Sequence, residues 1–81
     1  MVTTVYTKPS CVQCNATYRA LDKKGIAYSS TDISVDAQAL EDLKEMGFQQ
    51  APVVKSPIGN WSGFNPGKIQ ELADYYANPV G

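Results

Sequence analysis

The chain has 81 residues, 43% of them hydrophobic, and its 7 basic and 8 acidic side chains give a formal net charge of -1. This length is enough for one small domain with a single core and two packed layers, so residues 1–81 are expected to form one unit. Near-neutrality leaves no electrostatic footprint for nucleic acid or an anionic membrane. There is also no basic stretch leading into an apolar h-region and no apolar run near the roughly 18 residues of a spanning helix, so a cytoplasmic location is expected.

The first element is a strand, Val2-Thr3-Thr4-Val5-Tyr6-Thr7. Ser10-Cys11-Val12-Gln13 then fits a capping box, with the Ser10 hydroxyl on the Gln13 N–H and the Gln13 side chain reaching back. The spacing predicts a first helix to about Lys24, with Cys14, Thr17, Tyr18 and Leu21 on one face and Gly25 as a left-handed stop. Ala27 to Thr31 is a second, weakly patterned strand. A second helix starts near Asp36, turns Leu40, Leu43 and Met46 inward and stops at Gly47. Pro52-Val53-Val54-Lys55 and Asn60-Trp61-Ser62 flank a Pro57-Ile58-Gly59 turn and read as a hairpin. The last helix has Asn65 as N-cap and Pro66 at its first position, with Ile69, Leu72, Ala73 and Tyr76 inward. The order βαβαββα implies an α/β fold with a right-handed parallel crossover first and an antiparallel pair last. The result is a four-stranded mixed sheet with three helices on its faces.

Cys11 and Cys14 are the only cysteines, and they stand at the first strand-to-helix junction. As a structural staple, a bond closing about four residues contributes only about 2 kcal/mol in the chain-entropy model. As a zinc site, the pair supplies two of four ligands, and with no histidine the others must come from carboxylates or a second chain. A monomeric zinc ribbon is excluded. Reversible disulfide chemistry fits the βαβ context and a reducing cytosol. Cys11 is expected exposed at the first helical position, where free N–H groups favour a thiolate, with Cys14 a turn inward. Lowering the Cys11 pKa from about 8.5 to about 7 raises its thiolate fraction about 16-fold at neutral pH. A Brønsted slope of about 0.45 takes back about fivefold, so exposure rather than acidity selects Cys11 as attacker and Cys14 as resolving thiol.

Four motifs in order, Tyr6-Thr7-Lys8-Pro9, Cys11-Val12-Gln13-Cys14, Ala51-Pro52-Val53-Val54 and Trp61-Ser62-Gly63-Phe64, cover nearly the whole chain. Their arrangement resembles the thioredoxin fold in its short glutaredoxin form, and within it the NrdH-redoxins. The resemblance implies a monomeric dithiol-disulfide oxidoreductase with no bound cofactor or metal. Its electrons would come from NADPH-dependent thioredoxin reductase and pass to the large subunit of class Ib ribonucleotide reductase. It further implies a cis bond at Pro52 opposite the cysteines, a free Ala51 backbone for an extended client, and a positive potential from Lys8 beside the thiolate. Val12, Gln13, Trp61, Ser62, Gly63 and Phe64 complete the implied partner-contact set. The Trp61 indole N–H and Ser62 hydroxyl are expected to hydrogen-bond nearby backbone, fixing their segment beside Pro52 in space a glutathione would need. One departure is Asn65, where the family commonly has Arg.

Two other functions fit less well. A glutathione-dependent glutaredoxin would carry Pro-Tyr between its cysteines and a Gly-Gly turn with an acidic residue where Trp61-Ser62-Gly63-Phe64 stands. A dimeric metal or iron-sulfur carrier would share thiolates across subunits. Tyr6, Tyr18, Tyr28 and Phe48 read as packing residues.

Overall fold

The computed structural model describes residues 3–77; Val2, assigned above to the first strand, lies outside them. β1 (Thr3–Thr7) has β2 (Tyr28–Asp32) on one side and β3 (Val53–Ser56) on the other, and β4 (Gly59–Ser62) lies at the far edge. β1 and β2 run parallel, from Thr3 opposite Tyr28 to Thr7 opposite Asp32. That pairing requires a crossover, which α1 (Val12–Lys23) supplies. β3 pairs antiparallel with β1, Val54 facing Val5, and β4 antiparallel with β3, Trp61 facing Val54. Strand boundaries differ from the sequence reading by only a residue, β2 and β3 each starting one position later.

Because successive side chains of a strand point to opposite faces, β1 and β3 each feed two cores. On one face Val5, Val54 and Trp61 pack with Leu21 of α1, Ile26, and Ile69 and Leu72 of α3 (Pro66–Ala77). On the other, Tyr6 and Val53 pack with Ala39 and Leu43 of α2 (Ala37–Glu45), with Ile33, Met46 and Phe48 alongside. The expected α2 stripe is therefore shifted. Ala39 and Leu43 are its buried pair, and Leu40 and Met46 are half-buried at the margins.

Helix ends show why these segments stop where they do. Asp36 caps α2, its carboxylate accepting the Ala39 N–H at 3.0 Å. At its other end Gly47, at φ 89°, lets the Gly47 and Phe48 N–H groups return to the carbonyls of Lys44 and Leu43. The Asn65 side chain accepts the Lys68 N–H at 3.1 Å at the start of α3. Tyr76 is not turned inward as the periodicity suggests. It is 37% exposed, and only its hydroxyl reaches back, 3.1 Å from Thr3 Oγ1 at the start of β1. No helix among the described residues is long and apolar enough to cross a membrane.

Candidate active site

The site forms where β1 ends and α1 begins. After Thr7 the chain passes through Lys8-Pro9 to Ser10, whose φ of 57° places it in the left-handed region and outside the geometry of an N-cap. The capping box is therefore not made. Cys11 takes the N-cap instead, extended at φ -106° and ψ 105°, with its Sγ accepting the Cys14 N–H at 3.1 Å. The helix begins one residue later than expected, at Val12, because the sulfur rather than the Ser10 hydroxyl meets the free N–H of the first turn. Cys11 and Cys14 are joined as a disulfide with their Cα atoms 5.2 Å apart.

Cys11 is also less open than expected. It retains 8% of its surface against 1% for Cys14, so both are buried, but Cys11 lines the surface groove at the head of the helix and Cys14 faces the core. Lys8, Val12, Gln13 and Ala51 share that groove with Cys11. Ser10 and Gln50 line it too, and the sequence reading gave neither a place in the site. For Gln50 the signal was available, since it immediately precedes Ala51-Pro52. The Ala51–Pro52 peptide is cis, and Pro52 is buried at the start of β3.

The Trp61-Ser62-Gly63-Phe64 segment does come to the site, but by other bonds than those expected. The Trp61 indole Nε1 is buried with no hydrogen-bond partner among the described residues, and the ring belongs to the α1/α3 core. Ser62 is exposed at the end of β4 and pairs through its backbone with Val53. The backbone of Gly63 makes the link, its N–H donating to the Pro52 carbonyl at 2.8 Å. Next to it the Phe64 N–H donates to Gln13 Oε1 at 3.3 Å, so the Gln13 side chain reaches across to this segment and not back to Ser10. Physically, the N–H groups of Gly63 and Phe64 lie in a turn between β4 and α3, unpaired by ladder or helix, and take the nearest acceptors.

Three side chains outside the groove have shifted ionisations. Burial first, then the charges of Asp42 and Asp36, pushes the Tyr6 phenol above its ordinary value of 10.0. Tyr28 is raised likewise by burial and by Asp22. Asp32 is lowered by hydrogen bonds from the Ser34 hydroxyl and N–H, at 2.6 and 2.8 Å, that favour its carboxylate. Among the described residues no group of three or more His, Cys, Asp or Glu side chains is gathered to hold a metal ion.

The glutaredoxin family model matches residues 3–56. The chain is 39% identical over 72 residues to the glutaredoxin-like protein NrdH of Salmonella typhimurium, covering 89% of each chain. With the NrdH of Escherichia coli it shares 41% over 69 residues, 85% of each chain. The solved structure of Escherichia coli NrdH-redoxin, a glutaredoxin-like protein with a thioredoxin-like activity profile, matches with a TM-score of 0.84 at 40% identity, covering 89% of this chain and 95% of that one. With a thioredoxin fold, a closed Cys-X-X-Cys pair and these relatives, the chain belongs to the NrdH glutaredoxin-like proteins of the glutaredoxin family, which are thiol-disulfide oxidoreductases.

Proposed function

We propose that this protein is a cytoplasmic, monomeric, single-domain electron carrier that thioredoxin reductase keeps reduced with NADPH and that delivers its electrons to the large subunit of class Ib ribonucleotide reductase. The reduced Cys11 thiolate attacks one sulfur of a client disulfide. That S–S bond breaks, its other sulfur leaves as a thiolate, and a Cys11–client mixed disulfide forms. Cys14, deprotonated, then attacks Cys11 Sγ, closes the intramolecular disulfide and releases the second client thiolate. Two electrons have moved from the cysteine pair to the client, and the reductase returns them.

The residues support each role. In the disulfide form the Cys14 N–H points at Cys11 Sγ at 3.1 Å, a donor placed to meet negative charge on that sulfur when the pair is opened. Cys11 meets the groove and Cys14 stands behind it, so a client disulfide meets Cys11 first. Lys8 adds positive potential at the groove, and Ala51 offers backbone to an extended client segment. One observation carries the choice of donor: Gly63 is tied to the Pro52 carbonyl at 2.8 Å. That bond seats the Trp61-Ser62-Gly63-Phe64 segment against the Ala51-Pro52 segment, and on this reading the segment takes the space a tripeptide thiol would need. The thioredoxin-like activity profile of the similar Escherichia coli protein points the same way.

Trapping tests the roles and the client together. Cys14→Ser protein, mixed with oxidised large subunit of class Ib ribonucleotide reductase, is expected to accumulate a mixed disulfide through Cys11, and Cys11→Ser none. Mass spectrometry of the adducts decides; capture by Cys11→Ser would reverse the two roles, and no capture by either would remove the client.

A further inference from the structure

Gln13 lies between the two cysteines, yet its most distinctive contact is with a residue 51 positions away. Its Oε1 accepts the Phe64 N–H at 3.3 Å, and a Cβ placed on Gly63 would sit 3.3 Å from the same oxygen. Gly63, at φ 78°, has the backbone freedom that this turn needs, and it holds the Pro52 carbonyl with its own N–H. Gln13 is anchored in turn. Its carbonyl accepts the hydroxyl of Thr17, which is fully buried. One exposed side chain of the redox helix thus joins the β4–α3 turn and, through it, the Ala51-Pro52 segment. Ordering an exposed glutamine costs side-chain entropy, and a single neutral hydrogen bond leaves a net preference of only about fivefold. What the bond does fix is place: it holds the backbone of Phe64, 41% exposed, to the side chain of Gln13 at the groove that Cys11 and Val12 also line.

We infer that Gln13 is a positioning residue for protein clients: by holding the Phe64 N–H it fixes the β4–α3 turn, with exposed Phe64, beside the groove that Val12 and Gln13 line with Cys11, before a client arrives. A turn fixed in advance spares a protein client the cost of ordering it, while a small disulfide reaching Cys11 through the groove makes little use of it. This inference rests on the attacking role of Cys11 proposed above. It does not depend on which reductase or client the cell supplies.

The test uses pre-reduced protein without any reductase. Second-order rate constants are measured for attack on insulin disulfides and on a small uncharged aromatic disulfide, 2,2′-dithiodipyridine, with the same sample of each variant. Their ratio cancels any misfolded fraction and any change in Cys11 acidity. Gln13→Met keeps the length and removes the acceptor; its insulin-to-small-disulfide ratio is expected to fall about fivefold, the size of one lost net hydrogen bond. Gln13→Glu keeps an acceptor and should restore the ratio to within about twofold of wild type. An unchanged ratio in Gln13→Met, or equal ratios in Gln13→Met and Gln13→Glu, would overturn the inference. Failure of wild-type Cys11 to attack either disulfide would instead overturn the exchange mechanism beneath it.

Discussion

The indole of Trp61 fills the core between the sheet and helices α1 and α3, with its N–H buried and unpaired among the described residues. Its role is therefore bulk. Trp61→Ala is expected to cost about 3–5 kcal/mol in urea unfolding, the usual range for emptying a large aromatic site. Trp61→Phe loses part of the volume but also removes a buried N–H that no described residue satisfies, so its cost should stay under about 1.5 kcal/mol. A Trp61→Phe protein as unstable as Trp61→Ala would show that the N–H does have a partner in solution. Burial of this ring was legible from an aromatic in a short strand ahead of a helix, but its missing partner was not. Gln13 is the reverse case. Its chemistry as an acceptor was legible, and local spacing pointed it at Ser10, but the N–H it meets belongs to Phe64, which only the tertiary fold brings near.

Helix α2 is the element whose parts the sequence displays most fully. Asp36 supplies the cap and Gly47 the left-handed stop, both visible as residue types at the right spacing. Asp36→Ala should lower stability by about 1 kcal/mol. Because the groove at Cys11 has no α2 residue in its lining, turnover per folded molecule should not change; a matched loss of turnover would tie α2 to the site. The same helix bears on alkaline stability. Burial, with Asp42 and Asp36 nearby, raises the folded-state Tyr6 pKa above the unfolded value of 10.0. Its contribution is then fully present below pH 10.0 and is lost as the pH rises through the folded value. Unfolding curves between neutral pH and about pH 12 should fall less steeply for Tyr6→Phe than for wild type, and parallel curves would contradict the shift. At α1 the sequence pattern pointed to the wrong cap. Ser10 and Gln13 have the composition of a capping box, but Ser10 turns left-handed and the Cys11 sulfur takes the N–H, a choice between neighbouring acceptors that residue type alone does not decide.

At the scale of the whole molecule, element order and the hairpin were legible because hydrophobic periodicity and Gly/Pro punctuation are local signals. The antiparallel pairing of β1 with β3 was not, since it joins strands separated by two helices. That pairing assembles the site, setting Pro52 and the turn after β4 beside the head of α1. On the function proposed above, this assembly serves a thioredoxin-type electron path and leaves no place for glutathione. Stopped-flow reduction of the disulfide form tests it most directly, comparing thioredoxin reductase plus NADPH with glutathione at equal reducing capacity. Rapid reduction by the enzyme and slow reduction by glutathione are predicted, with a reduction potential near the thioredoxin value of about -270 mV. Reduction by glutathione as fast as by the enzyme, with a potential in the glutaredoxin range of about -200 to -230 mV, would contradict it.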